Sequence, residues 1–269
     1  MAGIVLLSLL GWGLVYTLVF DDDDDTSSAA REDGSGETEA TDPSTDGSDI
    51  LEGDAGDNRI FGNGGDDLIT GGAGDDELFG GAGTDIVLGQ DGDDFARGGT
   101  GDDLLTGGEG EDTLRGDAGD DLILSADLLD EVAYLASIEN AQNIDDIDVN
   151  FTFDTDEDEA DTVFGGSGDD LILFGSNDVV SGGNGEDILT GGDWMEPGDA
   201  AIITDYERGT DVLVYSYAAN TPEPVVSFTE VADGDDAEVR INGEVAMVLQ
   251  GIDFSTLTLA DVMLAQRPT

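Results

Sequence analysis

Aspartate is the residue of this sequence with the clearest capacity for chemistry, and it recurs at a fixed interval. From Gly53 to Leu124, eight contiguous nine-residue units each begin with Gly, carry a second Gly at position four, and place an acid or amide at position six. Position six is Asp in seven units and Asn58 in the first. Carboxylate, amide and carbonyl oxygens are the ligands that hard cations such as Ca²⁺ prefer. The spacing therefore predicts cation ligands at regular intervals.

The composition excludes most other site chemistry. The 269 residues contain 65 acidic and 7 basic side chains, for a formal net charge of −58, and all seven basic residues are Arg. Without His or Cys there is no catalytic triad of the imidazole type, no His or Cys zinc site and no disulfide framework. Nucleic acid is excluded as a partner because its binding depends on many Lys and Arg contacts to phosphates.

Each unit also carries one apolar residue, at position eight. That residue points into a core in every unit if positions seven to nine form a strand, because side chains alternate between the two faces of a strand. The position-eight residues are Ile60, Ile69, Leu78, Val87, Ala96, Leu105, Leu114 and Ile123. A chain so rich in Gly and in like charges folds at a high cost in backbone entropy and repulsion, so bound cations are expected to be part of the fold.

The units resemble the GGxGxDxUx nonapeptide of RTX (repeats-in-toxin) proteins, the haemolysin-type calcium-binding repeat family. The resemblance implies an all-β fold, a parallel β-roll or right-handed β-helix, in which six residues form a turn and three form a strand. It also implies Ca²⁺ as cofactor, held between the turns of units i and i+2 by position-six side chains and turn carbonyls. The metal ligands carried over from the family pattern are Asn58, Asp67, Asp76, Asp85, Asp94, Asp103, Asp112 and Asp121. Position-five acids are expected to contribute carbonyls and to face water.

A second, shorter repeat block follows an interruption. Residues 125–164 break the nine-residue phase, and a helix over 125–142 followed by a strand over 147–153 predicts an excursion that packs on the flank of the roll. The repeat resumes over 165–192 with one eight-residue unit. Asp170 and Asp187 are therefore predicted as further, distorted metal ligands, and Asp161 and Asp178 lie near equivalent positions in degenerate units.

The remaining segments flank the repeats. Residues 1–20 include an apolar run over 3–20, which predicts an uncleaved N-terminal membrane anchor, with a signal peptide or a buried helix as alternatives. The composition of residues 21–52 predicts an acidic, disordered linker. Residues 193–269 predict a C-terminal β-rich cap with an Asn242-Gly243 hairpin turn and a short helix over 257–265. This last region resembles the C-terminal region of RTX proteins, which carries the signal for type I export.

The function that best fits these features is calcium binding by a protein without its own catalytic module. We expect calcium-induced folding of an exported or cell-surface structural or interaction protein, located outside the cell with N-terminal membrane anchoring. The expected partners are Ca²⁺, a bacterial inner membrane through residues 3–20, and the type I export machinery, while a protein or glycan partner stays unidentified. The alternative is an accessory or secretion module of a polysaccharide-acting or other secreted hydrolase.

Overall fold

The computed structural model describes residues 3–7, 16–20, 31–32, 38–40, 47–126, 160–231 and 236–267. Within these ranges the chain is built almost entirely of strands that coil around one narrow core. The predicted excursion helix over 125–142 and strand over 147–153 lie outside the described residues, apart from the first two helix positions.

Two parallel sheets form the opposite walls of the roll. Sheet I contains, in chain order, β3 (Arg31–Glu32), β4 (Thr38–Ala40), β6 (Asn58–Gly64), β8 (Glu77–Ala82), β10 (Phe95–Thr100), β12 (Thr113–Ala118), β14 (Thr162–Ser167), β16 (Val179–Asn184), β18 (Ala201–Ile203), β20 (Val226–Glu230), β21 (Ala237–Ile241) and β22 (Glu244–Leu249). Sheet II contains β5 (Ile50–Glu52), β7 (Leu68–Ala73), β9 (Ile86–Asp91), β11 (Leu104–Glu109), β13 (Leu122–Leu124), β15 (Leu171–Leu173), β17 (Ile188–Gly192), β19 (Val212–Ala218) and β23 (Val262–Arg267). Successive units alternate between the two sheets, so two nonapeptides complete one coil.

The apolar residue at position eight builds the core. All eight predicted position-eight side chains are fully buried, and Val163, Ile172, Val180 and Leu189 continue the same stack in the second repeat block. Each stacks on its counterpart in the next coil, because the parallel strands pair in register; Ile60 is opposite Leu78, for example. The prediction of a parallel β-roll is confirmed.

The roll continues without a break across the interruption. Strand β12 pairs with β14, with Thr113 opposite Thr162, and β13 pairs with β15, with Leu122 opposite Leu171. Residues 49 positions apart therefore occupy the same stacking relationship as residues 18 positions apart elsewhere. The eight-residue unit also keeps register, since β15 and β17 pair at a separation of 17.

A β-rich cap closes the C-terminal end, as expected. Strands β20, β21 and β22 form an antiparallel meander on sheet I, and β19 and β23 extend sheet II. Asn242 and Gly243 both have positive φ, at 54° and 98°, which confirms the predicted type I′ turn. The predicted helix over 257–265 is wrong. Two short 3₁₀ turns, Phe254–Thr256 and Leu259–Asp261, precede β23, because the edge of β19 offers Val262 and its successors a parallel strand partner.

The N-terminal apolar run is not a helix where the structure describes it. Strands β1 (Gly3–Leu7) and β2 (Tyr16–Phe20) pair antiparallel, with Gly3 opposite Phe20. The run is rich in β-branched and aromatic residues and contains Gly11 and Gly13, all of which lower helix propensity. In the described ranges no helix has the length and hydrophobicity needed to cross a membrane. Within the predicted linker, β3 and β4 pair with each other, and β4 pairs with β6.

Candidate metal centre

The position-six residues form two ladders along the roll, one on each side. In each ladder the backbone N–H of one position-six residue donates to Oδ1 of the position-six Asp in the next coil, as from Asp67 to Asp85 at 2.9 Å and from Asp85 to Asp103 at 2.8 Å. Ladder I contains Asn58, Asp76, Asp94, Asp112, Asp161 and Asp178. Ladder II contains Asp49, Asp67, Asp85, Asp103, Asp121, Asp170, Asp187 and Asp211. Every residue predicted as a metal ligand lies in one of these ladders.

The ladder carboxylates are buried, yet many present one oxygen that no described group satisfies. Among the described residues, Oδ2 has no hydrogen-bond donor in Asp67, Asp76, Asp85, Asp94, Asp103, Asp121, Asp170 and Asp187. Leaving a buried carboxylate oxygen without a donor is costly. Repetition of the same orphaned atom along both ladders indicates that a positively charged ligand completes these turns.

Backbone carbonyls converge on the same space. A methyl group on Gly80, at position one, would overlap Oδ2 of Asp85 in its own unit and lie 2.7 Å from the carbonyl oxygen of Gly98 two units later. The bare Cα of Gly80 therefore leaves a cradle in which a carboxylate oxygen and a carbonyl oxygen lie close together. Gly80 has no positive φ, so Gly at position one provides space for the two oxygens and is not required by a left-handed backbone. The positive φ is found at position four, as at Gly83 with 137°, and at position two.

The donor set fits a hard divalent cation of flexible coordination. Among the described residues, no group of three His, Cys, Asp or Glu side chains is placed to hold a metal ion by itself. A cation in a cradle would therefore need backbone carbonyl oxygens, such as that of Gly98, in addition to one or two carboxylates. Oxygen ligands of this mixed kind suit Ca²⁺, which accepts six to eight oxygens in irregular geometry. The same set suits transition metals poorly, because no imidazole or thiolate is present in the sequence.

Burial raises the pKa values of many ladder carboxylates. Burial raises the pKa of Asp103 to about 8, with a smaller opposing effect from the hydrogen bond donated by the backbone of Asp85 and a further rise from neighbouring carboxylates. Burial likewise raises the pKa of Asp67, Asp94, Asp121 and Asp170 to about 7. Burial raises that of Asp76, Asp85 and Asp187 to about 6. A bound cation would remove this penalty on the charged form.

Not every ladder position has the same capacity for a cation. Oδ2 of Asp178 accepts hydrogen bonds from the Ser125 hydroxyl at 2.8 Å and from the Gly175 N–H at 2.7 Å. Oδ2 of Asp211 accepts from the Glu207 N–H at 2.6 Å. Protein donors thus satisfy the Oδ2 atom that lacks a donor in other ladder residues. Each ladder therefore ends at a carboxylate that is already hydrogen-bonded by the protein.

The first predicted ligand is also distinct. Asn58 donates its backbone N–H to Asp76 Oδ1 at 2.6 Å, as a ladder member should. Its side chain carries no charge, accepts from the Asp54 N–H at 3.1 Å and donates to the Gly56 carbonyl. The Asn58 side-chain amide thus forms hydrogen bonds within its own turn. It is a weaker cation ligand than the Asp at position six of the other units.

The sequence interpretation missed two ladder members. Asp49 was assigned to the linker and Asp211 to the cap, but both follow the pattern of positions four to nine, in Gly47-Ser-Asp-Ile-Leu-Glu52 and Gly209-Thr-Asp-Val-Leu-Val214. That half-unit pattern could have identified both. Most position-five acids are exposed, as expected, and their side chains also accept hydrogen bonds from the next coil; Asp57 Oδ1, for example, accepts the Asp75 N–H at 3.2 Å.

Comparison with known proteins agrees with this geometry. The family model for the RTX calcium-binding nonapeptide repeat matches residues 44–78, 52–87, 62–96, 88–123, 156–176 and 175–193. No curated protein sequence matches the chain significantly.

Two solved structures share partial similarity. The solution structure of an R3 subunit of the mannuronan C5-epimerase of Azotobacter vinelandii is 18% identical, with 63% of this chain and 77% of that chain covered and a TM-score of 0.29. The crystal structure of the extracellular lipase of Serratia marcescens is also 18% identical, with 86% of this chain and 43% of the lipase covered and a TM-score of 0.26. The chain thus spans less than half of the lipase. The repeated family matches and the all-β roll show that residues 44–123 and 156–193 of this chain are RTX calcium-binding nonapeptide repeats, which bind Ca²⁺.

Proposed function

We propose that this protein is an exported or cell-surface calcium-binding protein that folds when Ca²⁺ fills the cradles of its two aspartate ladders. The observation that supports this most directly is the repeated orphaned Oδ2 atom next to a position-one glycine. In this proposal the ladder residues with such an atom hold the ions, together with turn carbonyls. The ion supplies the positive charge that lets buried carboxylates stay ionised.

Sites are proposed between consecutive ladder members in which both carboxylates have an orphaned oxygen. These pairs are Asp67/Asp85, Asp76/Asp94, Asp85/Asp103, Asp103/Asp121, Asp121/Asp170 and Asp170/Asp187. Asp94/Asp112 is proposed as a further site, because these two residues are stacked in the same way. Asn58/Asp76 is proposed as a weak site because only one partner is charged.

The charge of the chain supports a role outside the cytoplasm. Cations must neutralise many of the 65 acidic residues before the chain becomes compact, and free Ca²⁺ is abundant outside cells. Export of an unfolded, calcium-free chain followed by folding outside is therefore the route we propose, with type I machinery as the exporter. The roll would then act as a structural or interaction module without a catalytic role.

Equilibrium dialysis of the purified full chain against Ca²⁺ and Mg²⁺ tests the proposal. We expect several Ca²⁺ ions per chain and little Mg²⁺, since Mg²⁺ demands small octahedral sites and dehydrates reluctantly. A stoichiometry of one ion or fewer, or equal binding of both metals, would contradict it. The same dialysis of an Asp103→Asn variant tests the assigned sites, because the substitution removes a carboxylate shared by two of them. This variant should bind fewer Ca²⁺ ions.

A further inference from the structure

Arg115 lies at the junction of the two repeat blocks, on the outward face of sheet I. It belongs to β12, the last sheet I strand of the first block, and the neighbouring β14 is the first sheet I strand of the second block. Arg115 is exposed and has no acidic partner among the described residues, whereas every other Arg side chain that the structure describes forms an ion pair with Asp or Glu. In a chain with 65 acidic residues, this indicates a different role for its guanidinium.

The guanidinium of Arg115 contacts aromatic rings on both neighbouring strands. Its central carbon, Cζ, is 4.7 Å from the centre of the Phe164 ring on β14 and 5.9 Å from the centre of the Phe95 ring on β10. The strand register explains both contacts, because Arg115 is directly opposite Phe164 and diagonal to Phe95. A planar guanidinium is attracted to ring faces within about 6 Å of the ring centre. Arg115 therefore links a ring of the first block to a ring of the second.

The junction is the place where the roll most needs such a link. Within the first block, stacked ladder residues such as Asp94 and Asp112 are 18 positions apart, but Asp112 and Asp161 are 49 positions apart. Closing the longer connection is roughly four- to fivefold less probable, because the probability of closure falls with about the three-halves power of chain length. In a repeat protein each coil is stabilised by its neighbours, so a weak contact at one junction allows the two sides to fold separately.

We propose that Arg115 is a positioning residue that couples the folding of the two repeat blocks. By holding β14 against β12 it aligns Asp112 with Asp161, and the coil that begins with β14 also carries Asp170, which shares a proposed calcium site with Asp121. The inference rests on the proposed calcium-induced folding. One contact between a cation and a ring at an exposed site changes an equilibrium about two- to fivefold. Loss of both contacts should therefore weaken the coupling about tenfold.

Two spectroscopic signals can follow the coupling in one calcium titration of the full chain. The sequence contains two Trp residues, so Trp12→Phe leaves Trp194 as the only one. Trp194 is 4% exposed and donates its indole N–H to the Phe174 carbonyl oxygen at 2.9 Å, so its fluorescence reports on the second block and the cap. Far-ultraviolet circular dichroism reports on the strands of both blocks. With Arg115 present, we expect one transition with coincident midpoints for the two signals.

In Arg115→Ala the circular dichroism transition should split into two phases, and the later phase should coincide with the change in Trp194 fluorescence. The second phase should lie at a calcium concentration roughly threefold above the first. Two proposed sites, Asp121/Asp170 and Asp170/Asp187, lie at or beyond the junction, so a tenfold weaker coupling moves the midpoint by about the square root of ten. Loss of stability shared by the whole roll would instead shift both signals together.

Arg59→Ala is the matched control. Arg59 is also exposed on sheet I, and its Cζ is 5.1 Å and 5.6 Å from the ring centres of Phe61 and Phe79, but all three residues belong to the first block. Its removal changes the net charge equally and should leave the two signals coincident. Arg115→Lys keeps the charge without the planar guanidinium and should restore only part of the coupling.

Coincident midpoints in Arg115→Ala would overturn the proposal, and so would an equal separation in Arg59→Ala. If Arg115→Ala does not fold at any calcium concentration, Phe164→Leu replaces it, because this change removes one ring contact and keeps an apolar side chain. It should still separate the two signals. If the natural chain is folded without calcium, the proposed calcium-induced folding fails, and urea titrations of the same variants with the same two signals then test the coupling. Coincident urea midpoints in Arg115→Ala would again count against it.

Discussion

The backbone N–H of Asp121 donates to Oδ1 of Asp170 at 2.9 Å, although the two residues are 49 positions apart in the sequence. This bond has the same form as those between ladder members 18 positions apart, such as Asp85 and Asp103. The two repeat blocks are therefore one continuous roll. Asp121, which looks like the last member of its block in the sequence, is an interior member of ladder II.

Loss of the Asp121 carboxylate should consequently be as harmful as loss of the Asp85 carboxylate. Each is shared by two proposed sites, and a charged ligand lost from a buried site costs about 1.5–3 kcal/mol. We expect Asp121→Ala and Asp85→Ala each to raise the calcium midpoint of folding roughly tenfold or more, since 1.4 kcal/mol corresponds to a factor of ten. The measurement is a calcium titration followed by circular dichroism.

Asp91→Ala is the control for this comparison, because Asp91 is an exposed acid at position three and its removal changes the net charge equally. Its midpoint should stay close to that of the natural chain. A clearly smaller shift for Asp121→Ala than for Asp85→Ala would argue that ladder II is interrupted at the 127–159 segment.

Much of this architecture could be predicted from the sequence, because the repeat is periodic wherever its units are contiguous. Gly at position four, Asp at position six and an apolar residue at position eight recur in phase, so the strands, the core and most ladder members follow from counting. The pairing of Asp121 with Asp170 could not be predicted in this way. The nine-residue spacing is interrupted in residues 125–160, so it does not show which residues of the two blocks are stacked. The pairing of β13 with β15 in the structure does show this.

Other misassignments came from tertiary context. The stretch after Thr258 has helix-forming residues, but an open strand edge at β19 recruits Val262–Arg267 as β23. Asp49 and Asp211 were missed because each has only half a unit around it. Asp178 has the ladder position of a ligand, yet the neighbouring Ser125 hydroxyl that satisfies it is 53 residues away in the sequence.

Asp178 and Asp103 should respond differently to the same substitution. Oδ2 of Asp178 already accepts two protein hydrogen bonds, whereas Oδ2 of Asp103 is orphaned among the described residues. Asp178→Asn should lower thermal stability by about 1–3 kcal/mol without reducing the number of Ca²⁺ ions bound per chain. Asp103→Asn should reduce that number. Equilibrium dialysis combined with thermal melts separates the two effects, and a lost ion in Asp178→Asn would refute the distinction.

Gly80→Ala tests the cradle without removing a ligand. The added methyl would occupy the space next to Asp85 Oδ2 and the Gly98 carbonyl, so calcium affinity should fall by about tenfold or more, as for other overpacked sites. Gly209→Ala is the matched control. Gly209 has a φ of 89°, and nothing lies within 4 Å of the place an added Cβ would occupy. That change should therefore cost only about 1 kcal/mol of backbone strain and leave the calcium midpoint nearly unchanged. Equal shifts of the midpoint would contradict the cradle.

Acidity should compete with calcium. Burial raises the pKa of the Asp103 carboxyl to about 8 in the ion-free roll, above its ordinary value of 3.8. Its contribution to the stability of the ion-free fold is therefore fully present below pH 3.8 and is lost as the pH rises through about 8. Calcium needs the ionised form, whereas the Asp side chains of the disordered, calcium-free chain have their ordinary pKa and are already ionised at neutral pH. The calcium midpoint should therefore stay nearly constant from pH 6 to 8 and rise as the pH falls below about 5. Calcium titrations across this range measure the effect, and a midpoint that falls steadily from pH 6 to 8 would show that a compact, protonated state precedes calcium binding.

Calcium-dependent folding of the full chain is the most direct test of the account. Far-ultraviolet circular dichroism should change from a largely disordered spectrum in chelator to a β-rich one as Ca²⁺ is added, and should reverse when chelator is restored. Coupled filling of adjacent ladder sites should make the transition steep, with a midpoint near the roughly 10⁻⁴ to 10⁻³ M affinities of extracellular calcium modules. A β-rich spectrum that persists unchanged in chelator at neutral pH would contradict the account, since the roll would then stand without its ions.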